Sequence, residues 1–344
     1  MEILHVTDCD SGGVPEVVDT ILDHLPGRIL FIGDMPAGFR NRDRVIAALG
    51  RARSKNPLAL RRTLALAAKT LAGSGAPLIH GHSSFGGVYG ALLSRRLGKP
   101  FIYTPHASPA MIPKRSPVDR VVGLAEIISC RRATSVIACS DDEASVLRRY
   151  AGGGRLTVIP NGVVAPGTAS MEGRVWDILF VGRVSPQKRP DIFVRLAEQV
   201  KQLRPATRIG WVGPGDPLST HAVDWIGPVT EQQVSDYLVR TRIYASVSDY
   251  EGLSLASLRA ACAGCELALR DTIGNRSPVT MGASGFLFSD IDAAAHTIAA
   301  RLDDATNWSV AADADRRERA RGLFSVDRMV ATLQSLYAEV GRSA

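Results

Sequence analysis

Short apolar runs rich in β-branched and aromatic residues alternate along this chain with longer stretches whose apolar residues recur every three to four positions. The strand-like runs in the first half are 3–6, 29–32, 78–80, 101–103, 136–138 and 156–159. Between them, Val17, Val18, Ile21, Leu22 and Leu25, and then Val88, Leu92, Leu93 and Leu97, carry helical spacing. A turn at Pro160, Asn161 and Gly162, followed by Ala, Pro, Gly, Thr and Ser, interrupts the pattern and marks a linker. A second alternation starts at 178–181 and passes through a helix carrying Ile192, Phe193, Leu196, Val200 and Leu203. Strands at 209–212 and 243–247, a helix from about residue 253, and strands near 267–269 and 286–288 complete it. A last amphipathic helix has Val326, Met329, Val330, Leu333, Leu336, Tyr337 and Val340 on one face.

Strand–helix alternation on this scale predicts parallel sheets covered on both faces. The expected fold class is therefore α/β, with two Rossmann-like, doubly wound domains at 1–164 and 165–325 and a closing helix at 326–344. Two such domains place a ligand crevice, a central cleft, where the carboxyl ends of their sheets face each other.

Composition narrows the class further. A hydrophobic fraction of 45% and a charged fraction of 22% over 344 residues exclude disorder, collagen and coiled coil. No apolar run reaches the ~18–20 residues of a membrane span, and Met1 to Asp8 lack a basic leader, so a soluble cytoplasmic protein is expected. Five cysteines are too few and too irregular for a disulfide framework; Cys262 and Cys265 read as buried small hydrophobes in an apolar stretch. The net charge of +7 is matched by one segment, in which Arg40, Arg42, Arg44, Arg51, Arg53, Lys55, Arg61 and Arg62 face only Asp43. A solvated helix face explains this as well as a patch held against anionic lipid head groups or an acidic acceptor. Nucleic acid fits less well, because only Phe39 accompanies the arginines.

Candidate chemistry sits where strands end. After the first strand, Gly12 and Gly13 open a helix whose free N–H groups suit a phosphate, although any βα turn can use such a pair. Asp8 and Asp10 form a D-x-D, but the pattern recurs at Asp290/Asp292 and at Asp313/Asp315 and carries no metal assignment. The second domain opens with Gly182-Arg183 and places Lys188 five residues later; the arginine fork and the lysine point charge together match a diphosphate, with a basic surface loop as the plain alternative. Glu251 and Gly252 follow a later strand, where a carboxylate at a helix start stays ionised and accepts hydrogen bonds from sugar hydroxyls. His80, His82 and His106 end the third and fourth strands; each alone is more often structural, and no acidic ligand is paired with them for a metal.

Taken in order, the strings 3–7 with 12–14, 79–84, 103–106, 158–163, 180–183 with Lys188, 251–252 and 285–288 resemble the GT-B glycosyltransferases of family four, which are retaining and use nucleotide sugars. The strings around His82 and His106 are most similar to bacterial enzymes that build surface polysaccharides. The resemblance implies that Gly12 and Gly13 pack against the donor diphosphate and that Arg183 and Lys188 hold it without a metal. It implies that Glu251, with Gly252, contacts the transferred sugar, that His106 acts near the anomeric centre, and that His82 and His106 line the acceptor side. The closing helix would cross back to the first domain. Two positions depart: Arg259 stands where the second glutamate of the E-x7-E motif contacts ribose, and Glu266 stands where relatives carry proline. Arg259 can only donate, to ribose oxygens or to a phosphate.

The implied activity is transfer of a sugar from a UDP-sugar, or secondarily a GDP-sugar, to a lipid-linked or glycan acceptor in cell-surface polysaccharide or glycoconjugate synthesis, with no cofactor beyond the nucleotide sugar. A non-catalytic nucleotide-sugar-binding subunit and a nucleotide-sugar epimerase are the alternatives. The implied place is the cytoplasm, with a peripheral contact at the inner face of the membrane through the 40–62 segment.

Overall fold

The computed structural model describes residues 2–50, 57–74, 78–113, 116–152, 155–167 and 173–342. The chain divides into two compact units, one made of residues 1–161 and 326–344, the other of residues 162–325.

The first unit runs β1 (Ile3–Thr7), α1 (Gly13–His24), β2 (Gly27–Phe31), β3 (Val45–Ala48), α2 (Pro57–Ser74), β4 (Leu78–His82), α3 (Ser84–Leu97), β5 (Phe101–Thr104), α4 (Pro117–Arg132), β6 (Ser135–Ala138), α5 (Asp141–Ala151) and β7 (Leu156–Val158). Its seven strands pair in parallel in the order β3-β2-β1-β4-β5-β6-β7. Every residue of β1 is buried, as a strand covered on both faces requires. Helix α3 lies close on this sheet because Gly86 faces it: a Cβ there would fall 2.7 Å from the Val6 carbonyl oxygen. The chain's closing helix, Val326–Arg342, buries Met329, Leu333 and Tyr337 and belongs to this unit.

The basic segment does not form one solvated helix face. Residues 42–44 make a single 3-10 turn and β3 follows it. Arg40 bonds Asp23 at 2.6 Å, Arg42 bonds the Phe39 carbonyl at 3.2 Å, and Arg44 bonds the Leu25 carbonyl at 3.0 Å. These three guanidiniums satisfy carboxylate, loop and helix-end oxygens of their own unit. Arg61 and Arg62 are exposed on α2, whereas Arg51, Arg53 and Lys55 lie outside the described residues.

The second unit runs β8 (Trp176–Val181), α6 (Pro190–Leu203), β9 (Ile209–Val212), β10 (Asp224–Gly227), α7 (Glu231–Val239), β11 (Thr241–Ser246), α8 (Leu255–Cys262), β12 (Glu266–Arg270), α9 (Ser277–Thr280), β13 (Gly285–Phe288), α10 (Ile291–Asp303) and α11 (Val310–Phe324). Its six strands are parallel in the order β10-β9-β8-β11-β12-β13. Phe180 packs on Trp211 with ring centroids 4.2 Å apart, and the Trp211 indole donates to the Gly182 carbonyl at 2.8 Å. The aromatic core thus pins the residue at which β8 gives way to its loop.

Behind α8, Arg174 and Arg317 pair with Asp313 and donate to the Ala263 carbonyl, while Arg316 donates to the Gly264 carbonyl at 2.9 Å. Cations suit a helix C-terminus, whose last carbonyls have no partner within the helix. Only glycine fits at 264: its φ is +86°, and a Cβ would fall 2.5 Å from Asp313 Oδ1. Cys262 and Cys265 are free buried thiols beside this cluster, with burial pushing Cys265 up to about 11. No helix among the described residues is long and apolar enough to cross a membrane.

Candidate active site

In the second unit, three strand-end loops are laced together. The loop after β8 turns through Pro186–Lys188 and enters α6 with Arg189 at φ 49°, a left-handed conformation that Arg189 holds through bonds to Asp191 and Asp249. The loop after β11 joins it, with the Asp249 amide donating to the Gln187 carbonyl at 2.9 Å and Gln187 Nε2 donating to the Tyr250 carbonyl at 3.0 Å. The Glu251 amide donates in turn to the Ile273 carbonyl in the loop after β12 at 3.1 Å. That third loop is held by Asn275, which is buried and bonds the Ser246 and Arg270 carbonyls.

This lacing brings Lys188 against Glu251: the ammonium donates to Oε1 of the carboxylate, and both side chains are mostly buried. The expected helix start at 251 is corrected. Helix α8 begins at Leu255, capped by the Ser254 hydroxyl, so Glu251 sits in the loop and is neutralised by Lys188 rather than by a helix end alone. Arg183 stands exposed on the loop after β8, with no hydrogen bond or ion pair among the described residues. One tied cation and one free cation therefore share a loop whose first carbonyl the core fixes.

Arg259 lies along α8, within 4.0 Å of Glu231, with its side chain mostly buried. Glu266, the other departure, begins β12 buried and bonded to Arg301 at 2.8 Å; burial raises its pKa and Arg301 opposes the rise. A depression of about 470 Å³ beside the β8 loop is lined by Val184, Ser185, Arg189, Asp191 and Asp249. Its charged groups are paired with one another, so it offers no spare cation to an anion.

In the first unit, Gly12 caps α1 at φ 82° without a side-chain cap, and Gly13 is the helix's first residue; both are exposed. Asp8 Oδ1 accepts from the Gly86 amide at 2.9 Å and from the Ser83 hydroxyl, which ties it to the start of α3.

His80, His82 and His106 come together with a fourth histidine that the periodicity did not single out. Pairing of β1 with β4 sets His5 opposite His80, and pairing of β4 with β5 sets His82 opposite Thr104. His5 Nδ1 lies 2.9 Å from His82 Nε2, and His82 Nδ1 lies 2.9 Å from His106 Nε2. His80 bonds the Tyr337 hydroxyl at 2.7 Å and the Thr104 hydroxyl at 2.8 Å. Burial lowers all four imidazoles, His5 to about 3 and His106 to about 4, so the cluster is neutral near pH 7. His5, His80 and His82 have ring nitrogens within 4.8 Å of one another, but both nitrogens of His80 and of His82 are engaged in hydrogen bonds. Their arrangement is that of a hydrogen-bonded network. The residues His106 and Ala107 carry φ of 62° and 153°, and Ser83 after β4 carries 64°, so backbone strain gathers where β4 and β5 give way to their loops. Glu143, buried and raised to about 7 by that burial, accepts from the Cys139 amide at 2.7 Å and the Ser108 amide at 3.1 Å, bracing the same loop.

Comparisons with known proteins point to one family. The family described as Glycosyltransferase Family 4 matches residues 11–165, and that described as Glycosyl transferases group 1 matches residues 176–304. D-inositol 3-phosphate glycosyltransferase of Nocardiopsis dassonvillei is 28% identical over 252 residues, covering 61% of this chain and 58% of the relative, so the chain spans less than two thirds of that protein's length. UDP-Gal:alpha-D-GlcNAc-diphosphoundecaprenol alpha-1,3-galactosyltransferase of Escherichia coli is 24% identical over 293 residues, covering 76% of this chain and 75% of that one. Sucrose-phosphate synthase from Thermosynechococcus elongatus superposes with a TM-score of 0.80 at 19% identity, covering 100% of this chain and 99% of that one.

Proposed function

This chain belongs to glycosyltransferase family 4 and has the GT-B fold, and from that premise we propose that it moves a sugar from a UDP-sugar to a lipid-linked or glycan acceptor with retention at the anomeric carbon. The observation that carries the reading is the β8 loop of the second unit, where Arg183 is exposed and has no partner among the described residues while Lys188 is tied to Glu251. A diphosphate is the anion that such a pair of cations suits. Arg183 meets it with a bidentate fork, and Lys188 turns part of its charge from Glu251 toward it. As the glycosidic bond breaks, negative charge grows on the leaving phosphate, and these fixed cations stabilise it more strongly than they stabilise the ground state. Two protein cations supply the charge that a divalent metal would otherwise supply.

Glu251, released in part from Lys188, accepts hydrogen bonds from hydroxyls of the transferred sugar, and Gly252 follows it as a buried residue of the same loop. Arg259 contributes a donor to the ribose or a phosphate in place of a carboxylate acceptor. In the first unit, the uncapped start of α1 at Gly12 and Gly13 presents free N–H groups to an anionic oxygen. His106 serves the acceptor; His82, fully buried with both ring nitrogens bonded, stands behind it and does not itself line the acceptor side as the sequence led one to expect. With no second carboxylate as nucleophile, attack from the leaving-group face, with the departing phosphate taking the proton, is favoured over the two-carboxylate pattern.

UDP is preferred over GDP because the Escherichia coli relative's name specifies UDP-Gal, and a lipid-linked acceptor is preferred because the same name specifies a diphosphoundecaprenol substrate. Helix α4 adds support for a membrane-bound acceptor: Val121, Leu124 and Ile128 are 62%, 60% and 53% exposed at spacings of three and four, with Arg131 and Arg132 exposed in the last turn. An apolar stripe edged by guanidiniums suits an anionic bilayer surface, and Arg61 and Arg62 on α2 are further exposed cations for it. The work would then be done at the inner face of the cell membrane.

The test is transfer from radiolabelled UDP-glucose and UDP-galactose to polyprenyl-diphosphate sugars in the presence of EDTA. Labelled lipid is expected. Turnover of GDP-sugars alone would reassign the base, and donor epimerisation without transfer would replace the reaction.

A further inference from the structure

Four side chains and a thiol form one head-to-tail chain in the first unit. His5 Nδ1 meets His82 Nε2 at 2.9 Å, His82 Nδ1 meets His106 Nε2 at 2.9 Å, and His106 Nδ1 meets Cys139 Sγ at 3.6 Å. The Cys139 thiol in turn donates to Asn161 Oδ1 at 3.6 Å. We propose that this chain fixes the tautomer of His106, placing its proton on Nδ1 and its lone pair on Nε2, with His5 and His82 as positioning residues. The functional weight of the inference rests on the reading above, in which His106 meets a substrate.

A neutral imidazole has one donor and one acceptor nitrogen, so a head-to-tail chain has only two polarities. Either every proton sits on Nδ1 or every proton sits on Nε2. The Cys139 end selects between them. A thiol whose proton goes to the Asn161 carbonyl is left as an acceptor, and the group facing it must donate, which puts the proton on His106 Nδ1. His106 Nε2 is then a lone pair that takes the His82 Nδ1 proton, and His82 Nε2 takes the His5 Nδ1 proton.

The other end agrees. His5 Nε2 is buried and has no hydrogen-bond partner among the described residues. In the chosen polarity it is a lone pair; in the reverse polarity it would be an orphaned buried N–H, which native structures rarely contain. Neutrality of the rings follows from their burial. His80 holds the set in place. It is anchored at both nitrogens by Tyr337 and Thr104 and lies with its ring centroid 4.0 Å from that of His82.

The chemical consequence is specific. With Nε2 occupied by His82, His106 cannot accept a proton from an acceptor hydroxyl without breaking the chain. Its Nδ1–H is held only by a long contact to sulfur and exchanges readily for a sugar or phosphate oxygen. His106 is therefore a hydrogen-bond donor and not a general base, which agrees with a leaving phosphate that takes the acceptor's proton.

The experiment is 15N NMR of histidine-labelled protein, read together with transfer kinetics. The wild type should show His106 with a protonated Nδ1 and an unprotonated Nε2. His5→Asn keeps a donor in the Nδ1 position and should preserve that pattern. His5→Asp offers only an acceptor there, which should reverse His82 and, through it, His106, two rings away. Transfer kcat should then fall about tenfold, the size of one lost uncharged hydrogen bond, with the KM for donor within about twofold. A role confined to packing would not move a tautomer at that distance. An Nε2–H His106 in the wild type, or a His106 signal unmoved in folded His5→Asp protein, overturns the proposal. If His5→Asp does not fold, the wild-type spectrum still decides. A reversed tautomer with unchanged kcat would uphold the chain and instead remove His106 from contact with substrate.

Discussion

The Lys188 ammonium donates to the Glu251 carboxylate across 63 residues of sequence, tying the loop after β8 to the loop after β11. Because both side chains are mostly buried, each sets the charge environment of the other. Lys188→Ala leaves Glu251 without its cation, and Glu251→Ala leaves Lys188 free. Each should lower kcat/KM for transfer by about 10²–10³, the range seen when one electrostatic stabiliser of a transition state is removed. The double variant should be little worse than either single one, because the residues act as a unit. Initial rates with saturating acceptor provide the check.

Arg183→Ala should separate binding from stability. The side chain is exposed and bonded to nothing among the described residues, so unfolding free energy should change by no more than about 0.5 kcal/mol. Its loss should still raise the KM for donor or lower kcat by about 10- to 100-fold, as expected of a charge-assisted bond. Urea melts beside kinetics test both halves.

Acid should weaken the first unit before it affects the loops of the second. His5 and His106 have folded pKa values of about 3 and about 4, and His80 and His82 are also well lowered by burial. In the unfolded chain they titrate near 6.5, so below that pH the unfolded state binds more protons and stability declines as pH falls. At pH 5 each neutral buried histidine contributes a loss of about 2 kcal/mol relative to pH 7. Glu143 acts in the opposite sense: its folded pKa, raised to about 7, makes stability fall as pH climbs from the ordinary carboxyl value toward 7. Four groups outweigh one, and the urea midpoint should drop between pH 7 and pH 5. A flat midpoint over that range would contradict the buried network.

Asp313 is the common anion of a buried set of guanidiniums, with Arg174 and Arg317 bonded to it and Arg316 at 3.7 Å. Asp313→Ala should destabilise the protein by about 3–5 kcal/mol, because unpaired buried charge is costly. Chemical denaturation measures this directly, and a change under about 1 kcal/mol would mean that solvent reaches the cluster.

The stripe on α4 should bind vesicles. Leu124→Ser and Ile128→Ser should each weaken co-sedimentation with anionic liposomes by about tenfold, given the apolar area they would bury. Removal of Arg131 and Arg132 should flatten the salt dependence. Binding to vesicles that none of these changes alters would return α4 to an ordinary exposed face.

Much of the fold was legible because its strands are central and apolar on both faces: the run at 209–212 is β9 itself. β3 and β10 were not legible, since they are partly exposed edge strands at the ends of their sheets: the short apolar run of β3 follows directly on Arg42 and Arg44, and β10 has only Trp225 and Ile226 as apolar residues. β4 extends past His80 to His82 because these histidines are buried and bonded, so their polarity does not signal a turn. Within the candidate site, Lys188 and Glu251 could be named from loop position, but their pairing could not, since it depends on hydrogen bonds between three loops distant in sequence. His5 was hidden for a related reason: only the register of β1 on β4 sets it beside His80. The charge run at 40–62 shows the converse, for Arg40, Arg42 and Arg44 resemble a patch in sequence and are intramolecular clamps in space.

Calorimetric titration of UDP, in EDTA, into the wild type and into Arg183→Ala and Lys188→Ala asks most directly whether the β8 loop holds a nucleotide diphosphate. Saturable binding by the wild type, weakened at least tenfold in each folded variant, is the predicted result. Absence of binding by the wild type, or equal affinity in all three proteins, would contradict it.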